Sequence, residues 1–191
     1  MRRQLAVVLG SLAALLSACG ERQEQPPDVF AVDKPRGARQ SAFREAGMEL
    51  ERPKNWKLRR RDPPGVFEIL SGEAIVSGWA YPREEPLPAT DAQLEAARKR
   101  LVEAIEQRDP SFKVSAAKTT EMGGSLAIDV RGRQVISRRT VQTRSVHVFE
   151  GEVEYVFEAL APPDSFARTA AVLAQVLRSV ELTGAVAGAE E

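Results

Sequence analysis

The feature that most constrains the fold is a pair of long strand-like segments joined by a very short turn. One segment covers residues 134–149 and the next covers residues 153–160, with Glu150-Gly151 as the turn between them. The second segment alternates strictly, with Val153, Tyr155 and Phe157 on one face and Glu154, Val156 and Glu158 on the other. A period of two residues is typical of a strand that buries one face. Long strands around a two-residue turn pair antiparallel, so this region predicts a β-hairpin.

Further strand signals lie on both sides of this hairpin. They cover residues 48–50, 56–58, 66–70, 74–81, 112–116, 126–130 and 179–182. Ser71-Gly72-Glu73 is a turn-forming triplet between two of them, which predicts a second hairpin. The three prolines in residues 82–88 exclude a central strand there and indicate a surface loop.

Two segments have the pattern of amphipathic helices. The first begins at Thr90, which can cap the free backbone N–H groups while Gln93 reaches back, and it ends at Asp109-Pro110. Its apolar face is expected to carry Leu94, Ala97, Leu101 and Ile105. The second begins after Pro162-Pro163, and its expected buried side carries Phe166, Ala170, Leu173 and Leu177. Runs of strands interrupted by two helices predict an α+β fold, an antiparallel β-sheet with helices packed on it.

The first 18 residues have the composition of a secretory signal. Arg2 and Arg3 form a basic start, and residues 5–16 are apolar or small. A helix needs about 20 apolar residues to cross the hydrocarbon core of a bilayer, and this run has about a dozen. We therefore do not expect a retained transmembrane anchor.

Leu16-Ser17-Ala18-Cys19 resembles the lipobox of bacterial lipoprotein signals, in which a leucine and two small residues precede a cysteine. The resemblance implies that a peptidase cuts between Ala18 and Cys19 and that the Cys19 thiol receives a diacylglyceryl group. Further acylation of the new amino terminus, for example by palmitate, also follows from it. An ordinary cleaved signal with a coincidental cysteine is the alternative.

Lipidation would fix the location of the protein. Two acyl chains or more anchor a protein stably, whereas one binds only marginally. We expect a membrane partner reached through the N-terminal lipid, on the extracytoplasmic side of the cell membrane. The choice between inner and outer membrane stays open, as does the oligomeric state.

The charge balance excludes one class of partner. Without residues 1–18 the chain has 25 basic and 27 acidic residues. A net charge of about −2 argues against a nucleic-acid binder, and against binding to anionic membranes by overall charge. Cys19 is the only cysteine, so once it is modified no disulfide can form and an apolar core must stabilise the fold.

Composition divides the chain into four parts. Residues 1–18 are the predicted signal peptide, residues 19–44 a lipidated flexible tether, residues 45–183 one α+β domain, and residues 184–191 a disordered tail. The tether is rich in charged residues, Pro, Gln and Gly and has few apolar residues. Its one apolar cluster, Val29, Phe30 and Val32, has two interpretations: contact with the edge of the domain, or a docking site for a partner.

Two regions resemble the PsbP/Mog1-like α/β/α sandwich. The first is a short strand that ends in Pro-x-x-Trp, here residues 48–56, and the second is the closing half, here residues 150–156 and 166–182. This family includes photosystem accessory proteins, a small-GTPase-binding factor and uncharacterised bacterial lipoproteins. The resemblance implies a non-catalytic binding module, and it supplies neither a ligand nor a functional residue.

Residues for catalysis are few. His147 is the only histidine, and as a general base it would need a nucleophile and an orienting acid nearby. We interpret it as a surface histidine or a strand histidine with a satisfied hydrogen bond. No Gly-x-Ser-x-Gly segment is present, and one histidine with one lipidated cysteine makes no usual zinc or copper set. We therefore predict no catalytic residue, no metal and no cofactor. A hydrolase that uses carboxylates such as Glu84 and Glu85 is the alternative.

Basic residues form two sets that could meet an anionic partner. The predicted patch consists of Arg59, Arg60, Arg138, Arg139 and Arg144. It requires that the strands around residues 57–61 and 131–144 be neighbours in the sheet. The alternative is solubilising charge that prevents edge-to-edge pairing of strands.

Two functions remain in view besides hydrolysis. The first is a membrane-anchored, non-catalytic binding or assembly module that acts on an envelope protein or a cell-wall polymer. The second is a lipid or small-ligand carrier with an apolar cavity between sheet and helices. A cavity of roughly 300 Å³ or more is the minimum for the second function.

Overall fold

The computed structural model describes Asp28 and residues 30–186. The elements are β1 (Arg39–Phe43), a short 3₁₀ helix (Arg44–Ala46), β2 (Met48–Arg52), β3 (Lys57–Arg60), β4 (Gly65–Ser71), β5 (Ala74–Pro82), α1 (Asp91–Arg108), β6 (Lys113–Met122), β7 (Ser125–Ile136), β8 (Arg139–Glu150), β9 (Val153–Ala161), α2 (Pro163–Ser179) and β10 (Glu181–Leu182). The predicted signal peptide, Ala18 and Cys19 lie outside the described residues, as does the C-terminal end from residue 187.

The strands form two antiparallel sheets. The large sheet has the order β3-β4-β5-β9-β8-β7-β6, and the small sheet has the order β1-β2-β10. The two helices pack on the large sheet, which confirms the predicted antiparallel α+β architecture. In the described part of the chain, neither helix is both long and apolar enough to cross a bilayer.

Helix α2 lies between the two sheets. It contacts β9, β5 and β8 of the large sheet and β2 of the small sheet. The alternating residues of β9 meet it as expected, and Tyr155 and Phe157 are fully buried. The predicted buried side of α2 is only partly correct: Leu173 is fully buried, but Phe166, Ala170 and Leu177 are half-buried. Its most buried side chains are Thr169, Val172, Leu173 and Val176, which form one stripe at i, i+3, i+4 and i+7, so the buried face is rotated by about one residue from the predicted one.

Helix α1 begins and ends where its signals predict. The Gln93 N–H donates to Thr90 Oγ1 at 3.3 Å, and Gln93 Oε1 accepts from the Ala89 N–H at 2.9 Å. The glutamine thus reaches back one residue further than in the usual capping box. The helix packs over β6 and β7, where Leu94 and Ile105 bury against the sheet in a core cluster of their own.

The β8–β9 hairpin turns one residue later than predicted. Glu150 is still paired with Val153, so the turn residues are Gly151 and Glu152. Gly151 has φ +58°, a left-handed conformation that glycine adopts without steric cost.

The domain begins before the predicted boundary at residue 45. Residues 39–43 pair with β2, and Phe43 stacks on Phe67 with 5.2 Å between ring centroids. Val32, from the predicted tether, is buried in the core, which favours contact with the domain over a free docking site. At the other end, Gly184 accepts a hydrogen bond from the Glu152 N–H at 3.3 Å, so the expected tail also starts packed against the domain.

Candidate functional site

A half-open cleft lies between α1 and the large sheet. Helix α1 covers β6 and β7 but leaves the same face of β5, β9 and β8 only partly covered. The resulting cleft has a volume of about 440 Å³. Its lining includes Trp79 and Tyr81 on β5, Glu154, Val156 and Glu158 on β9, Ser145 and His147 on β8, and Leu101, Ile105 and Arg108 on α1.

Strand register brings the floor of the cleft together. Trp79 is opposite Val156, and Val156 is in turn opposite His147. One pair further along, Tyr81 is opposite Glu154. Residues directly opposite in an antiparallel pair project from the same face, so the second face of β9 forms the floor while its first face packs on α2.

His147 is held by an acid within the cleft. Its Nδ1 lies 2.7 Å from Glu154 Oε1, and the two side chains are 11% and 12% exposed. Arg83 adds a hydrogen bond from Nε to Glu154 Oε2 at 2.9 Å. Burial alone would raise the pKa of Glu154, but the hydrogen bonds and charges of His147 and Arg83 outweigh it and hold the pKa below its ordinary value. His147 is therefore a strand histidine with a satisfied hydrogen bond, one of the two interpretations made from the sequence.

Glu158 is different because it has no such partner. It forms no hydrogen bond or ion pair within the described part of the chain. Burial raises the pKa of Glu158, an effect that the charges of His147 and Arg108 oppose without cancelling. A carboxyl group without a partner at the floor of a cleft is available to a ligand.

Aromatic side chains form the β5 side of the cleft. Trp79 and Tyr81 are both half-buried, and the Arg83 guanidinium lies 5.3 Å from the centroid of the Tyr81 ring. Burial, with the nearby Glu154 charge, raises the pKa of Tyr81. The cleft thus combines an apolar wall with a few convergent polar groups, as ligand sites usually do.

The arrangement does not assemble a nucleophile. Ser145 lies two residues from His147 on the same face of β8, but no hydrogen bond joins the two side chains among the described residues. A serine–histidine pair needs that hydrogen bond for nucleophilic catalysis. Within residues 30–186, no group of three or more His, Cys, Asp or Glu side chains is placed to hold a metal ion.

A second cavity lies near the opposite face of the sheet. It has a volume of about 600 Å³ and includes Phe43, Val66 and Ala80 in its lining, with Arg44, Arg60 and Arg61 beside them. Both cavities exceed the roughly 300 Å³ set as the minimum for a carrier.

The five arginines of the predicted patch are not brought together. Arg59 and Arg60 lie on edge strand β3, while β4, β5 and β9 separate this strand from β8, which carries Arg139 and Arg144. The two strands are therefore not neighbours, and β3 and β8 lie about 19 Å apart at the usual spacing between strands.

Most of these arginines are engaged within the domain. Arg59 pairs with Glu68 at 3.1 Å, Arg139 pairs with Glu73, and Arg144 makes two hydrogen bonds to Asp129. Arg60 lies over the Phe43 ring at 4.7 Å and donates to the Ala42 carbonyl. Arg138 forms no ion pair among the described residues.

Sequence reasoning missed the cleft. The alternation of residues 153–160 predicted a strand with one buried face, but it does not show that Glu154, Val156 and Glu158 on the other face line a cleft. The signal was the aromatic pair Trp79 and Tyr81 on one face of β5, which suggests a face that is neither core nor plain surface.

Solved structures share this fold. The solution structure of CyanoP, the cyanobacterial PsbP of Synechocystis sp. PCC 6803, matches with a TM-score of 0.59 and 11% sequence identity, covering 88% of this chain and 99% of CyanoP. LpqN of Mycobacterium tuberculosis, described as involved in cell envelope biogenesis, matches with a TM-score of 0.53 and 16% identity, covering 77% of this chain and 91% of LpqN. No family model and no curated protein matches the sequence. The predicted PsbP-like fold is thus confirmed.

Proposed function

We propose that the protein is a lipid-anchored lipoprotein of the bacterial cell envelope that acts as a non-catalytic binding module. The cleft between α1 and the large sheet is its binding site. The observation that carries this proposal is the combination in one cleft of the half-buried ring of Trp79 and the unpartnered carboxyl group of Glu158. The lipid anchor comes from the lipobox resemblance around Cys19.

The polar groups of the cleft support binding better than catalysis. The one histidine is occupied by Glu154, and Ser145 is not hydrogen-bonded to it. The remaining groups are the donor Arg108 on α1, the acceptor Glu158 on β9 and an aromatic wall. Such a set can orient an envelope protein segment or a cell-wall polymer. LpqN, a protein of the same fold, is involved in cell envelope biogenesis, which agrees with this location.

The experiment blocks the cleft without disturbing the core. Ala104 is exposed on α1 and lines the cleft, so Ala104→Trp should fill the cleft from its open side. Ala96 is exposed on the same helix but does not line the cleft, and Ala96→Trp is the matched control. A photo-crosslinking residue at position 81 should capture an envelope component in native cells. Ala104→Trp should abolish the capture, and Ala96→Trp should not.

Two results would contradict this proposal. Equal capture in both variants would show that the cleft is not the binding site. Intact-mass analysis of protein from its host, with residue 1 still present or no acyl mass, would remove the anchor, and Cys19→Ala is the control for that measurement.

A carrier of lipids is the second candidate, and the 600 Å³ cavity favours it. Its apolar lining carries Arg44, Arg60 and Arg61 against one carboxylate, Glu45, an excess of basic charge that suits an anionic amphiphile. Mass spectrometry of gently purified protein should then detect a bound lipid in stoichiometric amount. A purified protein with no bound lipid would exclude the carrier and leave the binding module as the remaining candidate function.

A further inference from the structure

Three large apolar side chains are exposed in the described part of the chain. They are Phe30, Val135 and Ile136, with 63%, 52% and 43% of their surface accessible. Val135 and Ile136 lie at the β7–β8 turn, far from Phe30 in sequence. The structure brings all three to one end of the large sheet.

The β7–β8 hairpin protrudes from that end. β6 pairs with β7 only as far as Arg133, and β9 pairs with β8 only from Gln142 onward. Residues 134–141, which we call the ribbon, therefore pair only with each other. Three residue pairs of ribbon project about 10 Å at the usual rise per residue.

Phe30 is connected through Glu73 to the tip of the ribbon, where Arg139 is opposite Ile136. The Glu73 N–H donates to the Phe30 carbonyl at 3.2 Å, and the Glu73 side chain pairs with Arg139 at the start of β8. The chain that leads back to Cys19 therefore enters the domain beside the ribbon. We call this end of the sheet, with Phe30, the β4–β5 turn and the ribbon, the ribbon end.

The ribbon end is also basic. The Asp33 N–H donates to Ser71 Oγ at the end of β4, and the Arg36 carbonyl accepts from the Lys54 N–H, which places residues 33–36 and 53–57 at this end. Its exposed basic residues are Lys34, Arg36, Lys54, Lys57, Arg133 and Arg138, and none forms an ion pair among the described residues. Three acidic residues, Asp28, Asp33 and Asp164, lie at the same end and offset part of this positive charge. Basic charge is thus concentrated here although the whole chain is nearly neutral.

We propose that the ribbon end docks on an anionic lipid bilayer, with Val135 and Ile136 entering the headgroup region and the basic side chains meeting lipid phosphates. An insertion of 5–10 Å is usual for interfacial segments, which matches the height of the ribbon. The proposal rests on the proposed lipid anchor at Cys19. Ten residues join Cys19 to Phe30, and the eleven steps along the chain span about 40 Å at most, so the ribbon end is held near the membrane.

Tryptophan at the ribbon tip tests the insertion. The chain from Cys19 onward contains every described residue, and its single thiol can be coupled to a maleimide lipid in phosphatidylglycerol vesicles with brominated acyl chains. Ile136→Trp should then show quenching of the added tryptophan and a blue shift. Glu152→Trp, in the exposed turn at the opposite end of the sheet, is the matched control and should show neither.

A second measurement tests the charge. Without coupling, Cys19→Ser protein should bind phosphatidylglycerol vesicles and not phosphatidylcholine vesicles. Lys54→Glu and Lys57→Glu should each weaken that binding by about fivefold or more, the effect of one cation near an anionic surface. Glu84→Lys, a charge change in a loop at the far end, should leave binding unweakened.

Equal quenching of the two tryptophan variants, or no quenching of either, would overturn the docking proposal. So would crosslinking of the ribbon in native cells to an envelope protein instead of lipid. Because the thiol is coupled chemically, the vesicle test does not depend on natural acylation. Failure of the anchor proposal and failure of the docking proposal are therefore separate results.

Discussion

Replacing Arg144 by methionine tests whether this arginine serves the fold or an anionic partner. Arg144 Nε and Nη2 lie 3.2 and 2.9 Å from the two carboxylate oxygens of Asp129, whose side chain is only 3% exposed. The variant would leave that carboxylate buried, with Arg131 as its remaining cation at 3.6 Å. Arg144→Met keeps most of the volume of the side chain and removes the charge.

The geometry sets the size of the effect. Removing one partner of a fully buried ion pair costs about 3–5 kcal/mol, and hydrogen bonds to charged groups contribute about 1.5–3 kcal/mol. Arg144 is 22% exposed and Arg131 stays in reach, so the loss should be near the lower figures. We expect the free energy of unfolding to fall by about 2–3 kcal/mol, which lowers Tm by about 4–12 °C in a domain of this size.

Urea unfolding followed by the fluorescence of buried Trp56 measures this loss. Arg138→Met is the matched control, because Arg138 is exposed without an ion pair among the described residues, and its effect should stay within about 0.5 kcal/mol. A double-mutant cycle with Asp129→Asn should give a coupling of about 1–3 kcal/mol. If Arg144→Met is no more destabilising than Arg138→Met, the structural role of Arg144 is refuted.

Three other substitutions have expected outcomes in the same urea assay. Burial raises the pKa of Glu158, so the free energy of unfolding of the wild type should fall as the pH rises from about 4.3 through that raised pKa. Glu158→Gln should remove this fall and should be more stable than the wild type at pH 7. His147 and Arg83 together outweigh burial and lower the pKa of Glu154, so the stability that Glu154 contributes is present above about pH 4.3 and is lost as the pH falls through the folded-state pKa. Glu154→Gln should lower the free energy of unfolding by about 1–3 kcal/mol at pH 7 and flatten this acid dependence. Gly78→Ala should cost about 1–3 kcal/mol, because its Cβ would lie 2.3 Å from Cε1 of the fully buried Phe67.

Local sequence signals were sufficient for much of the fold. The Thr90 cap and the alternation of residues 153–160 each depend on residues close in the chain, and both predictions are confirmed. β1 was missed because its own residues carry too little local signal. Its five residues contain one large apolar side chain, Phe43, so the segment looks like part of a tether until β2 is placed beside it.

The candidate site depends on strand order, which local signals do not contain. Trp79 and His147 face the same cleft only because β9 is inserted between β5 and β8. The basic patch was predicted on the assumption that strands distant in sequence are neighbours, and the observed order separates them. The ribbon forms because β7 and β8 extend beyond the ends of their neighbours β6 and β9.

The cleft and the ribbon end lie at different heights on the same strands. β8 runs from Arg139 at the ribbon to His147 in the cleft, eight residues or about 27 Å. The second cavity is no closer, because Gly65 in its lining pairs with Trp79. A domain that docks through the ribbon therefore holds both openings well above the acyl chains. An upright domain favours a wall-borne or soluble partner, whereas a carrier that takes lipid from its own bilayer would have to lie on its side. Binding through the cleft and docking through the ribbon thus support each other, and lipid loading in either cavity would count against both.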